Sequence, residues 1–275
     1  MLLPMRWLLV FALSVTAFTQ IPPDTAGSHL NAGVKAYKRT QYEIAIAEFK
    51  RAAELDPDLF LAHIYLATVY ANSYVPGLDT PQNDQYAELA IDNFKQVIAA
   101  APPKQTKINC LKAIASLYFN QASALMNKNF KAAATKLNEA KEYQQKIIAE
   151  QPDDAVARYS IGVIDWTLAY QPRMAMRKRL GLDNIQPLDS GSCADLRGSN
   201  QDVVNDGIAE LTQALKYRPD YDDAMAYMNL MYREKADIEC GDPQARAADI
   251  KQADQWVQRT MDIKNAKLPP QSPQH

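Results

Sequence analysis

Six residues in one short window constrain the fold of this chain more than any other feature. They combine small, aromatic and helix-ending types at fixed spacing within residues 26–59: Gly33, Tyr42, Ala45, Phe49, Ala52 and Pro57. Proline lacks an amide hydrogen and clashes with the preceding turn, so Pro57 is expected to end a helix. Small and aromatic residues at fixed spacing within one such window are typical of a protein built from internal repeats.

The window resembles one repeat of the tetratricopeptide (TPR) family, whose 34-residue period it fills without a gap. Two positions depart from the family pattern: His29 stands where many members have tryptophan, and Ala36 occupies the position beside Tyr37. The stretch Tyr227 to Asp237 also resembles exported bacterial proteins of the family. The resemblance implies an all-α solenoid, a right-handed stack of helix–turn–helix units.

Prolines mark the ends of the later units. Pro57, Pro102, Pro152 and Pro219 each follow an amphipathic run, and every interval between them exceeds the 34-residue period. Each later unit is therefore expected to have an enlarged middle, which in the third unit is predicted to be two long helices, at residues 107–126 and 130–151. The sequence predicts about five units, at residues 26–59, 60–104, 105–154, 155–221 and 222–264. The aspartates that directly follow three of the prolines are expected to cap the next helix: Asp58, Asp153 and Asp220.

The longest insertion lies in the fourth unit. Residues 171–205 contain Pro172, Pro187 and several glycines, and they are predicted to be the only long irregular stretch. Their basic run has two interpretations, contact with an anionic partner or lipid headgroups, or a solvated helix end. The run consists of Arg173, Arg177, Lys178 and Arg179.

The first residues of the chain have the features of a targeting segment. Arg6 is followed by an uncharged run from Trp7 to Phe18 that would rise only ~18 Å as a helix, too short for a hydrocarbon core of ~30 Å. Residues 1–19 are therefore predicted to be a cleavable secretory signal, with an uncleaved anchor as the alternative. Residues 20–25 form an N-terminal arm, and the proline-rich residues 265–275 are expected to be a disordered tail.

The signal predicts a periplasmic or secreted protein. No other stretch reaches ~18 apolar residues, so no transmembrane span is predicted in the mature chain. Export places the protein in an oxidising compartment, where disulfides persist.

Composition argues against several classes of chemistry. The net charge is −2, which disfavours a nucleic-acid binder that relies on neutralising phosphates. The 9 glycines form no phosphate-binding motif, and 3 histidines and 3 cysteines leave little material for a zinc site. No nucleophile or metalloprotease motif occurs. We therefore expect no enzyme activity, no cofactor and no metal, and we interpret His29 and His63 as packing residues.

In the TPR family, one face of each first helix lines a concave groove that binds partners. The residues of this chain at the matching positions are Leu30, Val34, Tyr37, Ile64, Tyr159, Val163, Trp166, Leu230 and Arg233. Val34 and Thr68 stand where the chaperone-binding members have asparagines, so the carboxylate clamp of those members is absent. An aromatic and aliphatic face suits an amphipathic helix or an extended apolar segment. The alternative is that the long insertion or the N-terminal arm folds back into the groove.

These features predict a non-catalytic scaffold that binds a protein or peptide partner outside the cytoplasm. The alternative function is a small-ligand carrier, with a pocket over Tyr159 and Trp166 that the insertions close.

The three cysteines suggest one disulfide. Cys193 and Cys240 fall in the loops inside the fourth and fifth units, and consecutive loops of this kind emerge on one edge of a solenoid. A flexible insertion can then bring the two residues to the Cα separation of ~5.5–6 Å that a bridge needs. Cys110 lies within a predicted helix and is expected to be a buried free thiol. Three unrelated thiols are the alternative, since the count is odd.

Overall fold

The computed structural model describes residues 24–183 and 186–267. Within them the chain forms ten α-helices and no strand. They are α1 (Ala26–Tyr37), α2 (Tyr42–Leu55), α3 (Phe60–Ser73), α4 (Pro81–Ala99), α5 (Lys104–Leu125), α6 (Phe130–Glu150), α7 (Ala155–Leu180), α8 (Ser190–Tyr217), α9 (Asp222–Asp237) and α10 (Pro243–Ala266). The predicted signal at residues 1–19, most of the N-terminal arm and the tail beyond residue 267 lie outside the described residues.

Consecutive helices pair into hairpins that stack in chain order. The pairs are α1 with α2, α3 with α4, α5 with α6, α7 with α8, and α9 with α10. The second helix of each hairpin then packs against the first helix of the next one. This arrangement is an all-α solenoid, so the predicted fold class is confirmed.

A close approach at Gly33 explains the first hairpin. A Cβ atom added at Gly33 would lie 2.4 Å from the Cε1 atom of Phe49, so only glycine lets α1 approach the ring. Ala45 and Ala52 have no exposed surface beside Phe49. Burial of this apolar face, and not helix propensity alone, stabilises a helix as short as α1.

Two helix starts show how side chains cap the helices of the solenoid. Thr80 caps α4 through its side chain, and Pro81 occupies the first turn, where its missing N–H would have no partner. At α7 the cap is Asp154, whose Oδ1 accepts from the amides of Val156 and Ala157 at 3.0 and 2.9 Å.

The prediction that aspartates directly after the prolines cap the next helices is wrong. Asp154 takes the role expected of Asp153, because the turn after the proline is one residue longer than assumed. The helices α3 and α9 begin without a side-chain cap, so Asp58 and Asp220 do not serve there.

The prediction of a long irregular stretch at residues 171–205 is also wrong. The helix α7 continues through Pro172 to Leu180, and α8 begins at Ser190. The helix ends at Gly181, whose φ of +67° is accessible to glycine without strain. Among the described residues of this stretch, only 181–183 and 186–189 are not helical.

Ion pairs between α7 and α9 account for the continuation of α7 beyond its proline. The Nε atom of Arg173 lies 2.7 Å from Oε2 of Glu234, and Nη2 of Arg177 lies 2.5 Å from Oδ2 of Asp237. All four side chains are buried. Neither interpretation of the basic run holds for these two arginines, because both pair within the chain.

The predicted disulfide is present. Cys193, in the first turn of α8, is bonded to Cys240, in the turn between α9 and α10, with a Cα–Cα distance of 5.6 Å. Cys110 is free and buried, and burial raises the pKa of its thiol to about 11.

The apolar core of the solenoid consists of two clusters. The first extends from Ala36 to Ile164, and the second from Ala169 to Ile238. Both include residues of α7, so this helix joins them. In the described part of the chain, no helix has the length and apolar character that crossing a bilayer requires.

Candidate binding groove

The first two hairpins place four of the predicted groove residues on one apolar surface. Leu30, Val34 and Tyr37 of α1 and Ile64 of α3 are half-buried and pack against the first core cluster. The hydroxyl of Tyr37 accepts a hydrogen bond of 2.7 Å from Nδ2 of Asn72 on α3. This bond ties the faces of α1 and α3 together.

A cleft of about 330 Å³ opens between α5 and α7, with α6 as its floor. We call it the α5–α7 cleft. Its walls include Ser116 and Phe119 from α5 and Tyr159, Ser160 and Val163 from α7. It therefore has apolar sides with a few polar groups, a combination typical of ligand sites.

Sequence reasoning found only part of this cleft. The position matching placed Tyr159 and Val163 in the groove, and both line the cleft. It missed Phe119, which lies three residues after Ser116 and so shares its helix face. This three-residue spacing is the signal in the sequence that could have placed Phe119 on the same face as Ser116.

The side of the groove between α7 and α9 is filled by aromatic side chains of the chain itself. The ring centroids of Tyr159 and Tyr221 are 4.9 Å apart, and those of Trp166 and Tyr227 are 5.5 Å apart. Trp166 also stacks on Tyr170 at 4.8 Å. Burial raises the pKa of the Tyr159 hydroxyl well above its ordinary value. Trp166 thus packs at the contact of α7 with α9 and is half-buried there.

The two predicted groove residues of α9 have different surroundings. Leu230 is half-buried. The guanidinium of Arg233 donates to Oδ1 of Asn229 and to Oδ1 of Asp254, both at 2.9 Å. Arg233 is therefore engaged with α9 and α10.

The two histidines considered for a metal pair have separate partners. His29 contacts Glu48 through Nδ1 at 2.6 Å and Asp24 through Nε2 at 2.7 Å, and these hydrogen bonds raise its pKa. His63 contacts Oδ1 of Asn93 at 3.0 Å. Among residues 24–183 and 186–267, no group of three or more metal-ligating side chains has the geometry to hold an ion.

The packing of the repeat positions decides the type of solenoid. Gly33 lies against Phe49 in the first hairpin, and Gly162 lies against Leu211 in the same way in the fourth. Five hairpins stacked in chain order, two of which have this glycine contact, match what the sequence resemblance implies. The fold is an all-α solenoid of helix hairpins that pack at these repeat positions.

Comparisons with known proteins find solved structures of low sequence identity. No family model and no curated protein matches the chain. The chain aligns with a solved structure of MamA protein at 14% identity and a TM-score of 0.47, covering 91% of this chain and 97% of that one. A MamA structure from Desulfovibrio magneticus RS-1 gives 14% and 0.46, covering 89% and 97%. YrrB, whose structure is described as a TPR protein with an unusual peptide-binding site, gives 15% and 0.45, covering 88% and 91%.

Proposed function

We propose that this TPR solenoid is a non-catalytic scaffold that binds an apolar or amphipathic segment of a protein or peptide partner in its concave groove. The observation that carries the proposal is the α5–α7 cleft, the part of the groove that the chain does not fill with its own aromatic side chains.

The dimensions and lining of the cleft suit one large side chain of a bound segment. Its volume of about 330 Å³ lies at the lower end of the range for small-molecule pockets. Phe119, Tyr159 and Val163 provide apolar contact, and the exposed hydroxyl of Ser116 can bond to the backbone of a segment that crosses the opening. Large side chains in such pockets supply most of the energy of many interfaces.

We also propose that the protein works outside the cytoplasm, in the periplasm or as a secreted protein. The pattern of residues 1–19 supports this location, and so does the disulfide between Cys193 and Cys240, because disulfides persist mainly in oxidising compartments. Cell fractionation with N-terminal sequencing of the purified protein tests the location. A mature chain that starts near residue 20 agrees with it, and a cytosolic chain with an intact N-terminus contradicts it.

The contacts of the segment between α7 and α8 favour a protein partner over a small-ligand carrier. Arg177 donates through Nη1 to the carbonyl oxygens of Asp183 and Gln186, at 2.5 and 2.9 Å, and so holds this segment at the end of α7. Trp166 lies eleven residues before Arg177, roughly 17 Å along the helix. The segment is therefore held away from the pocket that it would have to close over Tyr159 and Trp166.

Selection of peptides by the purified full chain tests the groove. We expect a random peptide library to yield sequences with an aromatic or leucine side chain, with dissociation constants in the micromolar range. Ser116→Trp fills the cleft from an exposed position and should weaken binding at least tenfold. Ser123→Trp, on the same helix outside the cleft lining, is the matched control and should change binding less than twofold.

Two results would count against the proposal. Equal binding by the two tryptophan variants would place the partner elsewhere on the solenoid. A rise of several degrees in melting temperature with a small metabolite, together with no selected peptide, would favour the carrier.

A further inference from the structure

A buried carboxyl group lies where the two core clusters meet. The first cluster ends on α7 at Ile164 and the second begins on the same helix at Ala169. Asp165 lies between them and has no exposed surface. A fully buried aspartate is rare unless it is paired, so its surroundings decide its charge.

Helices α6 and α8 meet α7 at this carboxyl group, and α9 packs against α8 beside it. From α6, Nζ of Lys141 lies 2.7 Å from Oδ1 of Asp165 and also contacts Oδ2 of Asp206 on α8. Also on α8, Glu210 contributes a more distant negative charge and is itself paired with Arg158 of α7 at 2.7 Å. From α9, the side chain of Met231 packs against the backbone of Gly207, which also lies against Cβ of Asp165.

Lys141 supplies one positive charge to two carboxyl groups. If both were ionised, the contact would hold an excess negative charge, and only Asp206, whose side chain is 46% exposed, could share its charge with water. The Oδ2 atom of Asp165 is buried without a hydrogen-bond partner. An unpaired buried acceptor is costly, and a buried net charge is more so. A proton on Asp165 removes the excess charge. Consistent with this, burial raises the pKa of Asp165 to about 7, against the opposing pull of Lys141 and with smaller contributions from Asp206 and Glu210.

We propose that the contact of α6, α7 and α8 around Asp165 is a proton-controlled joint between the two halves of the solenoid. With the proton bound, the three helices pack around a neutral carboxyl group and the joint is closed. When the proton leaves, the ionised oxygen favours water over its buried position, and the contact between α7 and α8 opens more often. Because α7 also carries Tyr159 and Val163, opening would move one wall of the α5–α7 cleft, a consequence that rests on the proposed function.

Hydrogen exchange of the full chain at several pH values tests the joint without any ligand. After correction for the intrinsic exchange rates, we expect the protection of amides in α6, the first half of α7 and α8 to fall at least tenfold between pH 5.5 and 8.5. The amides of α2 should change less than twofold. Equal changes in all helices would overturn the proposal.

Three variants assign the effect to Asp165. Asp165→Asn should remove the pH step in the protection of amides around this contact. Burial also raises the pKa of Glu234 on α9 to about 7, and a step caused by Glu234 would remain in this variant. Asp206→Asn removes the second carboxylate from Lys141, so that the lysine pairs with Asp165 only. Because this pairing favours the ionised form of Asp165, the step should move to lower pH. Asp202→Asn, an exposed neighbour on α8, is the matched control and should leave the step in place.

The set remains decisive if one variant does not fold. Should Asp165→Asn be unfolded, the wild type and Asp206→Asn still carry the test. A step that stays at the same pH in Asp206→Asn overturns the joint. Because no partner is present in these measurements, a missing step argues against the joint alone, and a failed peptide selection argues against the proposed function alone.

Discussion

The backbone of Gly162 lies directly against the side chain of Leu211. A Cβ atom added at Gly162 would stand 2.5 Å from the Leu211 Cγ atom, which is closer than non-bonded carbons approach. The contact joins α7 to α8 inside the fourth hairpin. Leu211 is fully buried there, so its side chain cannot move out into solvent. It is the same relationship that joins Gly33 to Phe49 in the first hairpin.

Gly162→Ala is therefore expected to destabilise the protein although alanine favours helices. The added methyl group forces α7 and α8 apart, and overpacking of this kind costs about 1–3 kcal/mol. The free energy of unfolding in urea measures the change. Gly198→Ala is the control, because an added Cβ there meets nothing within 4 Å, and it should stabilise the exposed part of α8 by up to about 1 kcal/mol. Equal effects of the two substitutions would contradict the close contact.

Asp154→Ala is expected to lower the free energy of unfolding by about 1–2 kcal/mol at neutral pH, since it removes the cap of α7. Burial raises the pKa of this carboxyl group, but the hydrogen bonds from Lys112 and from the amides of Ala157 and Val156 outweigh burial, so the net pKa is lowered. Its contribution is therefore present above the ordinary value of 3.8 and is lost as the pH falls through the lowered pKa.

Stability measured against pH checks this prediction. The curves of the wild type and Asp154→Ala should converge in acid, once the pH has fallen through the lowered pKa of Asp154. Asp153→Ala, at the exposed neighbour, should follow the wild type at every pH. A larger loss in Asp153→Ala than in Asp154→Ala would reverse the assignment of the cap.

Arg177→Met is expected to destabilise the protein by about 3 kcal/mol, because it leaves the buried Asp237 without its shortest partner. It also removes the donor that holds the carbonyl oxygens of Asp183 and Gln186. Chemical denaturation measures the loss. Arg179→Met, exposed on the same helix, should change stability by less than about 0.5 kcal/mol. Similar values for the two variants would mean that the ion pair contributes little.

Reduction of the disulfide is expected to lower the free energy of unfolding by up to about 4 kcal/mol, from the closure of a loop of 47 residues. A phosphine reductant should lower the melting temperature of the wild type and leave the double variant Cys193→Ala and Cys240→Ala unchanged. Non-reducing peptide mapping checks the pairing. A linked peptide that contains Cys110, or three alkylatable thiols in the native protein, would show that the bond is absent or different.

The hairpins could be predicted from the sequence because their determinants are local. The spacing of Gly33, Ala45, Phe49 and Pro57 describes which faces of two adjacent helices meet and where the second helix ends. The pairing of Cys193 with Cys240 follows from the same reasoning, since the loops inside consecutive hairpins emerge on one edge of the stack.

The groove was predictable only in part. Matching to the repeat positions placed Tyr159 and Val163 on the lining of the α5–α7 cleft. It gave no indication that Tyr227 packs against Trp166, because that contact depends on how closely α9 approaches α7.

The sequence by itself thus determined the repeat, the order of the hairpins and the cysteine pair, because each depends on a pattern along one or two neighbouring helices. Only the tertiary structure decided that α7 continues through Pro172 and that Arg177 is buried. The partner of Arg177 is Asp237, 60 residues away, and helix rules applied near Pro172 contain no information about it. The surroundings of Asp165 were decided in the same way, since Lys141 of α6 contacts it and Asp206 of α8 shares that lysine. A buried charge is tolerated only where distant parts of the chain supply its partners, and their positions are known only once the chain is folded.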